Sequence, residues 1–174
     1  LATALAHADA GDTVYVGAGT YTAAGEEVVR LEKPVTLLGG WNGAPSGAVV
    51  RDHVVWGSLL DGQNARRVVL VTGRAAAPTI DGLTVTRGNA TSLTGGCGPN
   101  SPAGCGGGIL VYDAGATITD CHISGNTAVT ATTDPVQAAS GGGVSVSYGH
   151  GVVIRDSTIS GNTASTVGVG IAGA

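Results

Sequence analysis

The stretch ITDCHISGNTA at residues 118–128 returns as IRDSTISGNTA at residues 154–164. Eight of the eleven positions are identical, and the two copies begin 36 residues apart. A fixed spacing of tens of residues is typical of proteins that stack one structural unit on the next. The stretch therefore predicts a repeat architecture, in which equivalent residues of successive units lie side by side.

Further copies surround this pair. A looser version, TIDGLTVTRGNA, occupies residues 79–90, and its Ile80 precedes Ile118 by 38 residues. The phrase GGGILV at 106–111 returns 35 residues later as GGGVSV at 141–146. Apolar residues alternate with Ser, Thr and Gly in these copies, which indicates short β-strands.

These strands predict a coiled, stacked chain. Strands that recur every 35–38 residues with no helix between them can bury their apolar faces by coiling, with each coil stacked on the next. Each coil rises by the spacing of neighbouring strands, about 4.8 Å. We therefore predict an all-β parallel solenoid of about four to five coils. The candidate helix is confined to residues 1–10, LATALAHADA, because Gly or Pro interrupts nearly every later stretch.

Stacking gives the repeated asparagine a structural role. In adjacent coils Asn126 lies beside Asn162, and their amides can hydrogen-bond each other and the backbone of the turn. Asn89 is expected to extend the same ladder. Gly125 and Gly161 supply the backbone freedom that a sharp corner needs.

Composition limits the function classes. With 43% hydrophobic and 11% charged residues, a chain of 174 residues suits one domain with its own core. The net charge of −4 argues against nucleic-acid binding, because eight Lys and Arg make no basic stripe. No run approaches the ~20 apolar residues that a membrane span needs.

The order of motifs along the chain resembles a known family. The opening ALAHADAGDTVYVGAGTY is followed by KPVTLLGGWNG, LLDGQNARRVVLV and PTIDGLTVTRGNA, and then by GGGI and SGNTA. This order resembles the secreted bacterial right-handed parallel β-helix repeat proteins of the pectate-lyase-like superfamily, over essentially the whole chain. The resemblance implies a right-handed parallel β-helix with a short N-terminal capping helix, three-sheet coils and an extracellular or cell-surface location. The superfamily includes lyases, hydrolases and adhesins, so the resemblance leaves the function open.

We expect one domain over residues 1–174, with an N-terminal cap at 1–12 and coils at 13–174. The motif GVGIAGA at 168–174 resembles the opening of another coil, which stops unfinished, and the chain begins at Leu1. The sequence is therefore expected to be a segment of a longer polypeptide. Strand edges at an uncapped end of such a stack would pair with another copy of the chain.

Three cysteines bear on compartment and chemistry. Cys97 and Cys105 lie in a Gly and Pro loop, GGCGPNSPAGC, and their spacing can close a small disulfide loop. The alternative is a metal site, although Zn²⁺ normally needs four Cys or His ligands and only Cys121 and His122 are near in sequence. Cys121 fits a buried free thiol that acts as a small hydrophobe.

Acidic residues are the candidates for chemistry. Asp120 and Asp156 form the acidic pair that the repeat stacks, and their oxygen ligands suit Ca²⁺. The alternative is that each carboxylate stabilises its own turn. Asp120, Asp156 and Asp113 are also the candidate catalytic residues of a lyase or a glycosidase, both of which need acid–base groups beside the substrate.

The strands that follow each GGG motif predict one outer face. If Ile109, Val111, Val144 and Val146 point inward, the residues that alternate with them point outward. These outward residues are uncharged: Leu110, Tyr112, Ser145 and Ser147. An acid–base site there would have to use Asp113 or residues from coils outside this segment, which weighs against a complete active site within it.

Aromatic and basic residues supply candidate ligand contacts. Trp41, Tyr112 and Tyr148 can stack on sugar rings if they are exposed, and the alternative is that they pack against the protein. The adjacent pair Arg66 and Arg67 could contact an anionic polysaccharide or form a solvated face.

The sequence therefore predicts a structural or adhesive module outside the cell or on its surface, non-catalytic in this segment and able to self-associate through the solenoid ends. One alternative is a polysaccharide lyase or glycoside hydrolase that acts on an acidic glycan. No cofactor is predicted for the module, and Ca²⁺ is the candidate cofactor of the lyase. A second alternative is a carbohydrate-binding module, favoured if Trp41, Tyr112 and Tyr148 lie exposed along one groove.

Overall fold

The fold is a parallel β-solenoid with one short helix at its N-terminal end. The computed structural model describes residues 1–91, 93, 97, 104–130 and 140–166. Helix α1 spans Ala2–His7. The strands are β1 Thr13–Gly17, β2 Gly19–Tyr21, β3 Glu27–Leu31, β4 Thr36–Trp41, β5 Ser58–Asp61, β6 Arg67–Thr72, β7 Thr79–Asp81, β8 Leu83–Thr86, β9 Ile109–Tyr112, β10 Ala116–Thr119, β11 His122–Ser124, β12 Thr127–Thr130, β13 Val144–Ser147, β14 Val152–Arg155, β15 Thr158–Ser160 and β16 Thr163–Thr166.

The strands form three long parallel sheets that wrap around one core. Sheet A has the order β1-β4-β7-β10-β14, sheet B the order β2-β5-β8-β11-β15, and sheet C the order β3-β6-β9-β13. A short additional sheet pairs β12 with β16. Each coil contributes one strand to each long sheet, and about four coils are complete. The predicted all-β parallel β-helix is therefore confirmed, and so is its capping helix, because Leu1 and Leu5 pack against the core.

One repeat of the sequence forms one coil of the solenoid. Ile118 pairs with Ile80 on one side and with Ile154 on the other in sheet A. In sheet B, Ile123 is paired in the same way with Val85 and Ile159. Spacings of 36 to 38 residues thus bring each apolar residue onto its counterpart in the next coil. The inner residues are fully buried, whereas the last strands described in each sheet leave Val146, Ile154 and Ile159 half-exposed.

Asn126 and Asn162 form a hydrogen-bonded ladder at the corner between sheets B and C. Asn126 is completely buried, and its Nδ2 donates to Asn162 Oδ1 and to the Val85 carbonyl, both at 3.0 Å. The Gly88 amide donates to Asn126 Oδ1 at 2.8 Å. Asn162 repeats the pattern one coil later, where its Nδ2 donates to the Ile123 carbonyl at 2.9 Å. The ladder therefore satisfies backbone groups inside the turns, and at Asn126 these groups are sealed from water.

Asn89 does not extend this ladder, and the prediction that placed it there is wrong by one residue. Asn89 pairs with Thr127, so Gly88 occupies the position that corresponds to Asn126. The Asn89 side chain instead donates to the Asn64 carbonyl at 3.0 Å and accepts from the Thr91 amide at 2.8 Å. The coils here are 38 residues apart, as Ile80 and Ile118 are, whereas Asn89 and Asn126 are 37 apart.

A second apolar cluster lies on the outer face of sheet C. It contains Leu70, Leu110 and Cys105, with Cys97 and Tyr112 packed against it. Cys97 and Cys105 form a disulfide with their Cα atoms 5.2 Å apart, which confirms the predicted bridge. Leu110 points outward as expected, and on that face it is buried beneath the two half-cystines.

Arg67 holds the segment around the disulfide onto the solenoid. This side chain is buried, and it donates to the carbonyls of Cys105 at 3.0 Å and Gly106 at 3.1 Å. Burial lowers the pKa of its guanidinium. Neither of the roles expected for Arg67, a solvated face or a polysaccharide contact, fits this position, because the guanidinium is enclosed by backbone.

No helix in the described part of the chain is long and apolar enough to span a membrane. Helix α1 covers six residues and contacts β3.

Candidate functional site

The candidate site begins at the turn that leads from sheet C to sheet A. Strands β6, β9 and β13 end in register, so the residues that directly follow them stack on one another. These residues are Gly73, Asp113 and Tyr148. All three adopt a left-handed backbone conformation, with φ of 101°, 44° and 54°. One turn geometry is thus repeated over three coils with three different side chains.

Tyr148 is the unexpected residue in this series. Glycine adopts positive φ freely, and aspartate tolerates it because its short side chain can bond locally. A bulky aromatic residue at positive φ is strained, and such strain concentrates at sites where a side chain must point in a set direction. Tyr148 is also 77% exposed, so burial of its ring does not explain the conformation.

Two tyrosines and an ion pair line one open cleft at this turn. The cleft has a volume of about 470 Å³ and is lined by Arg74, Tyr112, Asp113, Tyr148 and Gly149. The rings of Tyr112 and Tyr148 meet edge to face, with centroids 5.8 Å apart and planes at 86°. This is a preferred aromatic geometry, so each ring limits the movement of the other.

The ion pair places a donor and an acceptor beside the rings. Arg74 Nη1 lies 3.6 Å from Asp113 Oδ1, and the two side chains are 86% and 41% exposed. The His150 ring donates from Nε2 to the Arg74 carbonyl at 3.0 Å, and the His150 amide donates to the Ala114 carbonyl at 3.1 Å. Neighbouring coils therefore fix the backbone of the cleft, while the charged groups stay open to a ligand.

Tyr112 is held in place from behind by the outer cluster of sheet C. Its ring packs against the group formed by Leu70, Leu110 and Cys105, which the disulfide to Cys97 braces. The packed cluster therefore supports the Tyr112 side of the cleft, and Tyr148 forms the exposed side.

Reduction of the Cys97–Cys105 disulfide is expected to lower the free energy of unfolding by about 2–3 kcal/mol, the effect of freeing a short closed loop. Urea unfolding with and without reductant measures this difference. A Cys97→Ser, Cys105→Ser variant is the control, and reductant should leave its unfolding curve unchanged. An equal response of the control and the wild-type protein would contradict the assignment.

Cys121 is a buried thiol without nucleophilic character. It lies in the main core, and burial raises its pKa to about 11. Its sulfur lies 3.6 Å from the Ile80 carbonyl. The thiol therefore stays protonated at neutral pH, which fits the expected role as a small hydrophobe.

Asp120 and Asp156 lie at the opposite end of β10 from the cleft. They follow directly the paired residues Thr119 and Arg155, so they stack in adjacent coils as the repeat predicts. Both have φ of 50° and both are exposed, and Asp156 accepts a hydrogen bond of 3.1 Å from Arg155. Across the described residues, no three acidic, His or Cys side chains gather into a metal-binding group. A calcium site or a catalytic role for this pair stays a prediction.

Trp41 lies away from the two tyrosines. It ends β4 in sheet A, where its ring packs 6.3 Å from Tyr15, and it is half-buried. Trp41, Tyr112 and Tyr148 therefore do not line one groove. The cleft instead combines the two tyrosines and Asp113, which the sequence analysis proposed separately, with Arg74, which it did not single out. The alignment of the repeats could have identified Arg74, because Gly73 aligns with Asp113 and Arg74 therefore aligns with the residue that follows Asp113.

Comparison with known proteins agrees with this architecture. The family described as "Right handed beta helix region" matches residues 67–173, which is more than half of the chain. No curated protein and no solved structure matched it. The matched residues include β6, both copies of the eleven-residue repeat and every residue of the cleft, and on this match the chain belongs to the right-handed β-helix family.

Proposed function

We propose that this chain is a non-catalytic structural or adhesive module, outside the cell or on its surface, that binds a saccharide in the cleft. The observation that carries the proposal is the exposed Tyr148 ring, held at positive φ beside Tyr112 and the Arg74–Asp113 pair. Sugar rings offer C–H faces that pack on aromatic rings and hydroxyls that bond to charged groups. Apolar surfaces with a few placed polar groups are typical of small-ligand sites.

The disulfide and the solenoid support the extracellular part of the proposal. Disulfides persist in oxidising compartments and are rare in the cytosol. A stack of paired coils gives a stiff rod with a repeated lateral surface. The half-exposed residues Val146, Ile154 and Ile159 lie at one end of the described stack, where a neighbouring copy could pair with the strand edges.

The lining of the cleft favours binding over hydrolysis. A glycosidase of the common type needs two carboxyl groups on either side of the scissile bond. Among the described residues that line the cleft, Asp113 is the single carboxylate. The alternative function is lyase or hydrolase action on an acidic glycan, and the experiment below is designed to detect it as well.

Tyr148→Ala is expected to weaken saccharide binding about tenfold, equivalent to about 1.4 kcal/mol, because it removes the exposed stacking surface. A glycan array identifies the ligand, and titration calorimetry then compares the variants with Ca²⁺ and with chelator. Tyr15→Ala is the matched control, because Tyr15 is a partly exposed tyrosine outside the cleft.

If the array retains no saccharide, the proposal that the cleft binds a saccharide is wrong. An equal loss of affinity in Tyr15→Ala would move the site away from the cleft. Release of unsaturated products or new reducing ends would replace the binding module by an enzyme and would direct mutation to Asp113, Asp120 and Asp156.

A further inference from the structure

The charge balance of the cleft points to the class of its ligand. We infer that the cleft selects a neutral saccharide with adjacent hydroxyl groups and discriminates against uronates and other anionic sugars. This inference rests on the proposed function, and it concerns the same residues.

The two charged side chains of the cleft cancel each other. Arg74 and Asp113 are the charged groups among the described lining residues, and their nearest N and O atoms are 3.6 Å apart. A ligand carboxylate next to Arg74 would therefore lie at a similar distance from Asp113. Attraction and repulsion of equal charges at similar distances leave little net energy, while the carboxylate still loses hydration.

Asp113 is placed to accept hydroxyl donors. Its amide donates to the Ser147 carbonyl at 3.0 Å, which fixes the backbone of Asp113 under the turn that carries Tyr148. Adjacent coils are about 4.8 Å apart, and Tyr148 and Asp113 line the same cleft, so a sugar ring that packs on Tyr148 has hydroxyls within reach of the carboxylate. An ionised carboxylate has two oxygens and only accepts hydrogen bonds. It therefore matches two neighbouring hydroxyls and rejects a second carboxylate.

Arg74 supplies the complementary donors. Its guanidinium carries five N–H groups, and the contact with Asp113 is longer than a hydrogen bond, so the fork is available to ligand oxygens. The backbone of Arg74 is anchored by the His150 ring. With Asp113 present, the guanidinium binds neutral hydroxyl or ring oxygens. Without Asp113, it would be an unbalanced cation that prefers an anion.

The test compares matched neutral and uronate tetrasaccharides: glucose with glucuronate, galactose with galacturonate, and mannose with mannuronate. In the wild-type protein the preferred neutral tetramer should bind at least tenfold more tightly than its uronate. Asp113→Asn should lower affinity for the neutral tetramer and raise affinity for the uronate about tenfold. Arg74→Gln should weaken neutral binding without any gain for the uronate. Asparagine tolerates positive φ, so Asp113→Asn should fold, and thermal unfolding verifies this.

Salt provides a second measurement on the same proteins. Neutral binding to the wild-type protein should be insensitive to ionic strength, whereas uronate binding to Asp113→Asn should weaken as salt rises. Tighter binding of uronates by the wild-type protein, abolished by Arg74→Gln, would overturn the inference and leave the proposed function standing. Binding of neither ligand class would remove both. A neutral preference that Asp113→Asn does not change would also overturn the inference, since Asp113 would then not set the selectivity.

Discussion

Replacement of Asn126 by alanine is expected to lower the free energy of unfolding by about 3–5 kcal/mol. The substitution removes the side chain that bonds the Gly88 amide and the Val85 carbonyl, and it removes one of the two donors to Asn162 Oδ1, which keeps the backbone amide of residue 126. A buried polar group without a partner costs about 1–3 kcal/mol, and Asn126 has no exposed surface through which water could replace it. Urea unfolding followed by circular dichroism measures the change.

Asn89→Ala is the matched control for this experiment. Asn89 lies one position along the same corner of an adjacent coil, is only half-buried, and makes two hydrogen bonds. Its loss is expected to cost about 1 kcal/mol, because water can reach the groups that it leaves. If the two variants lose the same stability, the ladder is not the main source of corner stability.

Gly108→Ala is expected to cost about 3 kcal/mol through steric conflict alone, at the upper end of the usual range for overpacking. An added Cβ would lie 2.5 Å from the Gly143 carbonyl oxygen and 2.9 Å from Asn126 Nδ2. The backbone has little freedom to relieve this contact. The Gly108 amide donates to the Gly142 carbonyl at 2.9 Å, and the Gly108 carbonyl accepts from the Val69 amide at 2.8 Å.

Gly25→Ala separates this steric effect from the general effect of replacing glycine. A Cβ at Gly25 would meet only the Glu27 carbonyl oxygen, at 3.9 Å, and the residue does not have positive φ. Such a substitution is expected to change stability by less than about 1 kcal/mol and to favour the folded state, since alanine restricts the unfolded chain. Thermal and urea unfolding of both variants gives the comparison. A Gly108→Ala protein as stable as Gly25→Ala would show that coils can separate at the triple-glycine motif.

The contact between Gly108 and Asn126 explains why the motifs GGG and SGN are repeated together. The triple glycine directly precedes the strand of sheet C, and it packs against the asparagine corner of the adjacent coil. Gly108 lies against Asn126, and Gly143 lies against Asn162 in the next coil. A side chain at either glycine would displace the amide that satisfies the corner. The asparagine of SGN therefore needs a glycine of the GGG motif in the adjacent coil, because a larger side chain would occupy the space of its amide.

The sequence by itself determined the stacked architecture. Strand spacing is the same for every coil, so a repeat period of 36 to 38 residues must bring Ile118 onto Ile154 and Asn126 onto Asn162. The same local information predicted the Cys97–Cys105 disulfide, because the two cysteines lie eight positions apart in a Gly and Pro loop. The repeat period and the spacing of nearby residues can be read directly from the sequence, and neither requires that the contacts between distant residues be known.

Only the tertiary structure decided the register of Asn89, the burial of Leu110 and Arg67, and the composition of the cleft. Asn89 misses the ladder by a single residue, a shift that strand pairing sets and residue type does not. Leu110 and Arg67 are covered by residues between β8 and β9, among them Cys105, which packs on Leu110 and accepts from the Arg67 guanidinium through its carbonyl. The cleft joins Arg74, Asp113 and Tyr148 from three successive coils. Residues about 35 to 39 apart meet there because coils stack about 4.8 Å apart, and no pattern within one coil contains that contact.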